Sequence, residues 1–286
     1  MFVHGFLEDS SVFDGLSTRY ARRGYRCLLV DMPYYTTESS ENHPYFGYTM
    51  TGIADYLHEI VTHATLGGAL TLVAHDFGVV YSRWLLAKYP ADAGAIVQLD
   101  LGFGLNVGAD DHEPIDFQTL KTLFSLGTIY QYYLIVLWLM NRTPVLSGAL
   151  SLCQSRFPAW FQISGHVIRP ESAYSYLYFH LFPFSRYLAN RTGLTQFSLY
   201  PTWARYRPDV PTLFLYGTQG RALHGDDWTS SLNDRQDGSK SVALDTGHWV
   251  HLEKPEMVQI QMDTFLDRVL GQCPPISESG MDLIRR

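Results

Sequence analysis

The sequence predicts an α/β fold: a mostly parallel sheet with helices on both faces and a helical cap inserted in the middle of the chain. Three observations carry this. Short, largely apolar runs such as Leu70-Thr71-Leu72-Val73-Ala74 alternate with amphipathic stretches in a strand-helix-strand-helix rhythm, the pattern of a parallel sheet buried on both faces. The rhythm stops for about a hundred residues, roughly Gly104 to Pro208, and then resumes. The turn after the 70–74 run places a nucleophilic residue type between small ones, Ala74-His75-Asp76-Phe77-Gly78.

Taken in order, Met1-Phe2-Val3-His4-Gly5-Phe6 reads as the end of a strand running into a loop. Ser10 and Ser11 are placed to cap a helix carrying Phe13, Leu16 and Tyr20 on one face, and Gly24 to end it. Tyr25–Asp31 is a buried strand, followed by a polar loop from Pro33 through His43-Pro44. Ile53, Leu57, Ile60 and Val61 mark a second amphipathic helix, and Gly67-Gly68 leads into the 70–74 strand. After the turn, Val79 to Tyr89 has helical spacing with Trp84 and Leu85 on one side. Ala95–Asp100 is the next strand, and its end falls on the carboxyl edge of the sheet, where open α/β folds place their ligands.

The insertion reads as helices at Phe117–Leu126, Ile129–Met140 and Glu171–Tyr187, separated by prolines. Pro211–Gly217 resumes the sheet, and Lys240–Asp245 gives a last strand, followed at once by Thr246-Gly247-His248-Trp249. A final helix from Pro255 to about Leu270 buries Val258, Met262, Phe265, Leu266 and Val269 at helical spacing. The expected organisation is a core of residues 1–103 and 209–272, a helical cap or lid at 104–208, and a polar, poorly ordered tail at 273–286.

A formal net charge of −7 and a pI near 5.8 leave no basic face to neutralise phosphates, so no nucleic-acid partner is expected. The 19 Tyr, 16 Phe and 6 Trp fit an aromatic-lined cavity for a small apolar substrate, although large cores also use such residues. Cys27, Cys153 and Cys273 lie far apart without metal-ligand spacing, so they read as reduced thiols, with no metal and no cofactor implied. No signal peptide opens the chain as given, and a cytoplasmic location is expected unless a targeting signal has been lost with the start. Ile129–Met140, at twelve residues, is short of a bilayer span; membrane contact is possible there but not favoured. Nothing here sets the oligomeric state.

The 74–78 pentapeptide has the form of a nucleophile elbow, a sharp strand-to-helix turn whose crowding demands small residues two positions before and after the exposed one. The residue lifted out is Asp76, whose carboxylate can attack carbon and form an ester. The competing reading is an ordinary βα turn in which Asp76 only caps the following helix. No Gly-x-Ser-x-Gly occurs anywhere, which disfavours a serine esterase or lipase.

With His4-Gly5-Phe6, Ala74-His75-Asp76-Phe77-Gly78 and the GHWVHLEKPE run at 247–256 in this order around a cap-sized insertion, the chain resembles the α/β-hydrolase superfamily. Within it, the resemblance is to the branch with an aspartate nucleophile and a helical cap, the epoxide hydrolases and haloalkane dehalogenases. The resemblance implies Asp76 as nucleophile, His248 as the base that activates water, and the backbone N–H groups of Phe6 and Phe77 as an oxyanion hole. His251 is a competitor for the base. The usual acid position after the seventh strand is Gly220, so Asp100 is implied as the third member of a catalytic triad, with Asp226 and Asp227 as runners-up.

Phe77 stands where dehalogenases place a halide-binding Trp, and Leu7 where epoxide hydrolases have a proline in the oxyanion loop. The cap offers Tyr130, Tyr132, Tyr133, Tyr174, Tyr176 and Tyr178 as acids for an epoxide oxygen. In this fold two strands and most of a third precede the His-Gly loop, so an amino-terminally truncated chain is expected, with a sheet left unpaired where the third strand belongs. The resulting expectation is epoxide hydrolysis through an alkyl-enzyme ester. The alternatives are haloalkane or haloacid dehalogenation, or a catalytically silent α/β-hydrolase-like binding protein.

Overall fold

The computed structural model describes residues 1–6, 8–33, 48–64, 70–102, 208–219, 224, 226–271 and 283–285. Nearly all of the expected cap, with its six tyrosines, lies outside them, as do Leu7 and Gly220. The elements are β1 (Phe2–Val3), a 3₁₀ turn (Ser10–Phe13) running into α1 (Asp14–Arg22), β2 (Cys27–Val30), α2 (Met50–His63), β3 (Thr71–His75), α3 (Phe77–Lys88) and β4 (Ala95–Leu99). After the segment expected to be the cap come β5 (Thr212–Gly217), α4 (Asp226–Asn233), β6 (Lys240–Leu244), α5 (Val250–Glu253), α6 (Pro255–Leu270) and β7 (Leu283–Arg285).

Among the described residues the strands form one sheet in the order β6-β5-β4-β3-β1-β2-β7, and every pairing is parallel. Because successive side chains of a strand point to opposite faces, the apolar runs feed two cores. Leu28, Val30, Leu72, Ala74 and Ile96 pack with Ile53, Leu57, Val80 and Leu85 of α2 and α3 on one face. Cys27, Leu29, Val73, Val97 and Leu213 pack with Leu16 of α1 and Val258, Met262 and Phe265 of α6 on the other.

Three expectations are corrected and one is met in part. Where the third strand belongs, between β2 and β3, Phe2 and Val3 pair with Leu29 and Val30 on one side and with Val73 and Ala74 on the other. Val73 N–H also donates to the Met1 carbonyl at 2.8 Å, which extends the pairing one residue beyond β1. The tail contributes structure too, since Leu283–Arg285 lies parallel to Cys27–Leu29; an exposed sheet edge offers unpaired N–H and C=O groups to any nearby chain.

The first helical segment is capped by Asp9, whose Oδ1 accepts the Ser11 N–H at 2.9 Å, instead of by Ser10 or Ser11. A carboxylate one position earlier reaches the first turn directly. The segment does end at Gly24, where φ is 85°. Finally, α3 has no solvent face over most of its length: every residue from Gly78 to Leu86 is buried, because it runs between the sheet and its neighbouring elements.

Candidate active site

The turn between β3 and α3 is sharp and crowded. Asp76 has φ 47° and ψ −123°, a conformation costing about 1–3 kcal/mol for a residue with a side chain. It stands at the N-cap position of α3 yet makes no side-chain capping bond, so the capping reading fails. Small neighbours permit the strain. A Cβ on Gly78 would lie 2.1 Å from the Val3 carbonyl oxygen, and one on Gly5 would lie 2.6 Å from the Asp76 Cβ.

The loop after β1 is shaped by a neutral histidine. The Met32 N–H donates to His4 Nε2 at 3.0 Å, so that nitrogen carries no proton, and Nδ1–H donates to the Gly5 carbonyl at 2.8 Å. Burial lowers the His4 pKa, consistent with an uncharged ring. Within one trans peptide, C=O and N–H point in opposite directions. Holding the Gly5 carbonyl therefore aims the Phe6 N–H the other way, and it meets Asp76 Oδ2 at 3.0 Å. The second expected oxyanion donor, Phe77, opens α3 directly after Asp76, where helical N–H groups have no intrahelical acceptor. The Phe6 and Phe77 rings meet edge to face at 6.3 Å and form an apolar flank.

Asp100 follows β4 with φ 57° and is buried. Its Oδ1 accepts the Gly217 N–H at 2.7 Å, and its Oδ2 accepts from His248 Nδ1 at 2.6 Å. That bond leaves His248 Nε2 as the basic nitrogen, 3.8 Å from Asp76 Oδ1. The approach depends on Gly217, where a Cβ would sit 2.1 Å from the Gly247 carbonyl oxygen, so the end of β5 touches the loop that carries His248.

The structure thus brings Asp76, Asp100, His248 and the Phe6 amide together at the carboxyl edge of the sheet. It holds His251 apart: that ring is buried, stacked on Phe13 at 5.2 Å and 4.7 Å from the His75 ring. Asp226 and Asp227 open α4, while Asp100 holds His248 Nδ1. Among the described residues no cluster of His, Cys, Asp or Glu could hold a metal ion.

A second polar group beneath the site was not foreseen. Glu8 Oε2 accepts the Gly5 N–H at 2.9 Å, and Oε1 accepts the Trp249 Nε1–H at 2.5 Å. His75 Nδ1 lies 2.9 and 3.0 Å from the two Glu8 oxygens, and His75 Nε2 is 3.1 Å from the His248 carbonyl. Burial alone would lower the His75 pKa, but the facing Glu8 carboxylate overrides it and holds the ring up at about 9. Burial likewise pushes Glu8 upward, and the imidazolium and the Gly5 amide carry it well below the usual carboxylate range. The one sequence signal was a Glu two residues after an HGF loop, and its partners are distant in the chain.

Solved structures of the same architecture include an epoxide hydrolase from Vigna radiata, at 18% identity and TM-score 0.54 over 93% of this chain and 90% of that one. A thermophilic esterase from Thermogutta terrifontis matches at 17% identity and TM-score 0.53 over 94% and 89%. A putative acyltransferase from Salmonella enterica matches at 16% identity and TM-score 0.58 over 94% and 87%. At such identities the likeness speaks for the fold alone. No curated protein matches the chain with significance. A model of the alpha/beta hydrolase family, however, matches residues 1–258, nearly the whole chain, and this protein therefore belongs to that family.

Proposed function

We propose that the protein hydrolyses a small apolar epoxide through an ester on Asp76, with His248 and Asp100 as base and orienting acid. The observation that carries this reading is the unequal treatment of the two Asp76 oxygens. Oδ2 is bound by the Phe6 N–H at 3.0 Å, whereas Oδ1 faces His248 Nε2 at 3.8 Å. Oδ1 is then the attacking atom: it bonds to an epoxide carbon as the ring C–O bond breaks, and the epoxide oxygen takes a proton from an acid, for which the cap tyrosines are candidates. Oδ2 becomes the ester carbonyl, already in place for stabilisation by an N–H donor.

His248 next removes a proton from water, and the hydroxide adds to the Asp76 carboxyl carbon. The oxyanion on Oδ2 is held by the Phe6 and Phe77 amides. Collapse expels the diol alkoxide, which takes the proton from His248, and the hydroxyl proton left on the Asp76 carboxyl returns to the conjugate base of the acid that protonated the epoxide oxygen, restoring both that acid and the carboxylate. Asp100 keeps the imidazole in the tautomer with Nδ1 protonated and stabilises the imidazolium.

Dehalogenation fits less well. Phe77 has no hydrogen to offer a departing halide, and Trp249, beside His248, spends its indole N–H on Glu8. The structural neighbours include an epoxide hydrolase but also an esterase and an acyltransferase, so the choice of substrate rests on Asp76 occupying the elbow. Turnover of a chromogenic epoxide in heavy-oxygen water tests it: label enters Asp76 over several turnovers and diol is released. Folded protein that makes no diol and is indistinguishable from Asp76→Asn would instead be a silent binder, and halide release from haloalkanes without epoxide turnover would mark a dehalogenase.

A further inference from the structure

Glu8 and His75 form a buried pair that the mechanism above does not use, with side chains 3% and 0% exposed. Their protonation follows from their partners. His75 faces only acceptors in its two ring contacts, the Glu8 carboxylate at Nδ1 and the His248 carbonyl at Nε2, so making both bonds requires a proton on each nitrogen. Glu8 meets donors from three directions, Gly5 N–H, Trp249 Nε1–H and His75, so it is the anion. Burying two charges is costly unless their bonds are complete, and here they are.

What the pair connects is informative. Glu8 belongs to the loop that supplies the Phe6 amide, His75 immediately precedes Asp76, and the acceptor of its second proton is the backbone of His248. A single imidazolium thus joins the turn presenting the nucleophile to the loop presenting the base, with its ring centroid 4.6 Å from that of His248. We propose that Glu8 and His75 are positioning residues for the water-activating half of the reaction, a charged brace that fixes the His248 backbone and so the reach of its ring to Asp76. This rests on the reading of Asp76 as nucleophile.

The two halves of the reaction respond differently if the brace is weakened. Ester formation needs Asp76 and its amide donor; ester hydrolysis also needs His248 held at the right reach, and a misplacement of about 1 Å can cost on the order of a hundredfold. In Glu8→Gln, a side chain of the same shape without the charge, ester formation should stay within about threefold of wild type while hydrolysis slows by about ten- to a hundredfold. The alkyl-enzyme should therefore accumulate as a mass shift on the peptide holding Asp76. Glu8→Asp keeps the charge on a shorter arm and should recover part of the hydrolysis rate.

The pH profile gives a second readout. The groups facing His75 are Glu8 from the first loop, Asp76 on its own turn, and His248 and His251 from the segment after β6. Hydrolysis by wild type should hold up to about pH 9, whereas in Glu8→Gln it should already fall near neutrality, as His75 loses its second proton. Rapid-quench measurement of both steps decides. Accumulated ester with the shifted profile supports the brace; parallel slowing of both steps, or an unchanged ratio, overturns it. If Glu8→Gln does not fold, the ratio in Glu8→Asp decides in the same way. Wild type that never forms the ester refutes the nucleophile reading itself, an outcome plainly different from the brace failing alone.

Discussion

At the scale of single residues the site is a set of close approaches that only particular side chains allow. Asp76→Asn keeps the shape of the turn and the acceptor for the Phe6 amide but removes the proposed nucleophile, so on the proposed mechanism epoxide turnover should fall by at least about 10⁴-fold with folding intact. Circular dichroism and a progress curve on the same sample check this. Gly78→Ala acts on structure instead. Its methyl would lie 2.1 Å from the Val3 carbonyl oxygen, and backbone cannot swing aside as a side chain can. A loss of about 1–3 kcal/mol is expected, readable as a lower urea midpoint. His4 belongs to the same scale, since its tautomer decides which way the Gly5–Phe6 peptide faces.

At the scale of elements, the chemistry sits on three loops at the carboxyl ends of β1, β3 and β4 and on the segment after β6. How much of this was legible follows from how each element is buried. Strands covered on both faces read as apolar runs, so Thr71–His75, Ala95–Leu99 and Thr212–Gly217 lie where the runs were. The α3 helix read as one-sided because sequence spacing cannot register Arg83 and Ser82 being buried along with Val79 and Leu85. Asp76 was visible because an elbow is a local pattern. The relation between Asp100 and His248 is a contact across 148 positions, and only likeness to a family pointed to it. Glu8 carried only the faint signal of its place two residues after the HGF loop, nothing local tied it to His75, and β7 is too short to show any period.

Asp100→Asn tests the element-level geometry. Its side-chain oxygen can still accept the Gly217 N–H that Asp100 Oδ1 now accepts, but the amide no longer offers His248 Nδ1 an anionic acceptor. Ester hydrolysis should fall by about 10⁴-fold, as expected when a base loses its orienting acid. Label should still be found on Asp76 after a single turnover.

At the scale of the whole molecule, two buried histidines near one another pull stability in opposite directions with pH. His4 is held neutral by burial, its pKa lowered from the ordinary 6.5. The unfolded chain therefore binds a proton that the folded chain resists, and stability drops as pH falls below about 6.5. Glu8, lowered from the ordinary 4.5, adds to the acid limb: what it contributes is present above that value and is lost on further acidification. His75 works the other way. Raised from 6.5 to about 9, it contributes stability that is complete below 6.5 and is lost as pH rises through about 9. Of these three groups only His75 changes its contribution between 6.5 and 9, where it is lost. Urea midpoints measured from pH 5 to 10 should therefore fall in wild type relative to His75→Gln between 6.5 and 9, because the variant has no imidazole proton to lose there. An equal alkaline slope in both proteins would mean that some other group titrates there and that the buried imidazolium is absent.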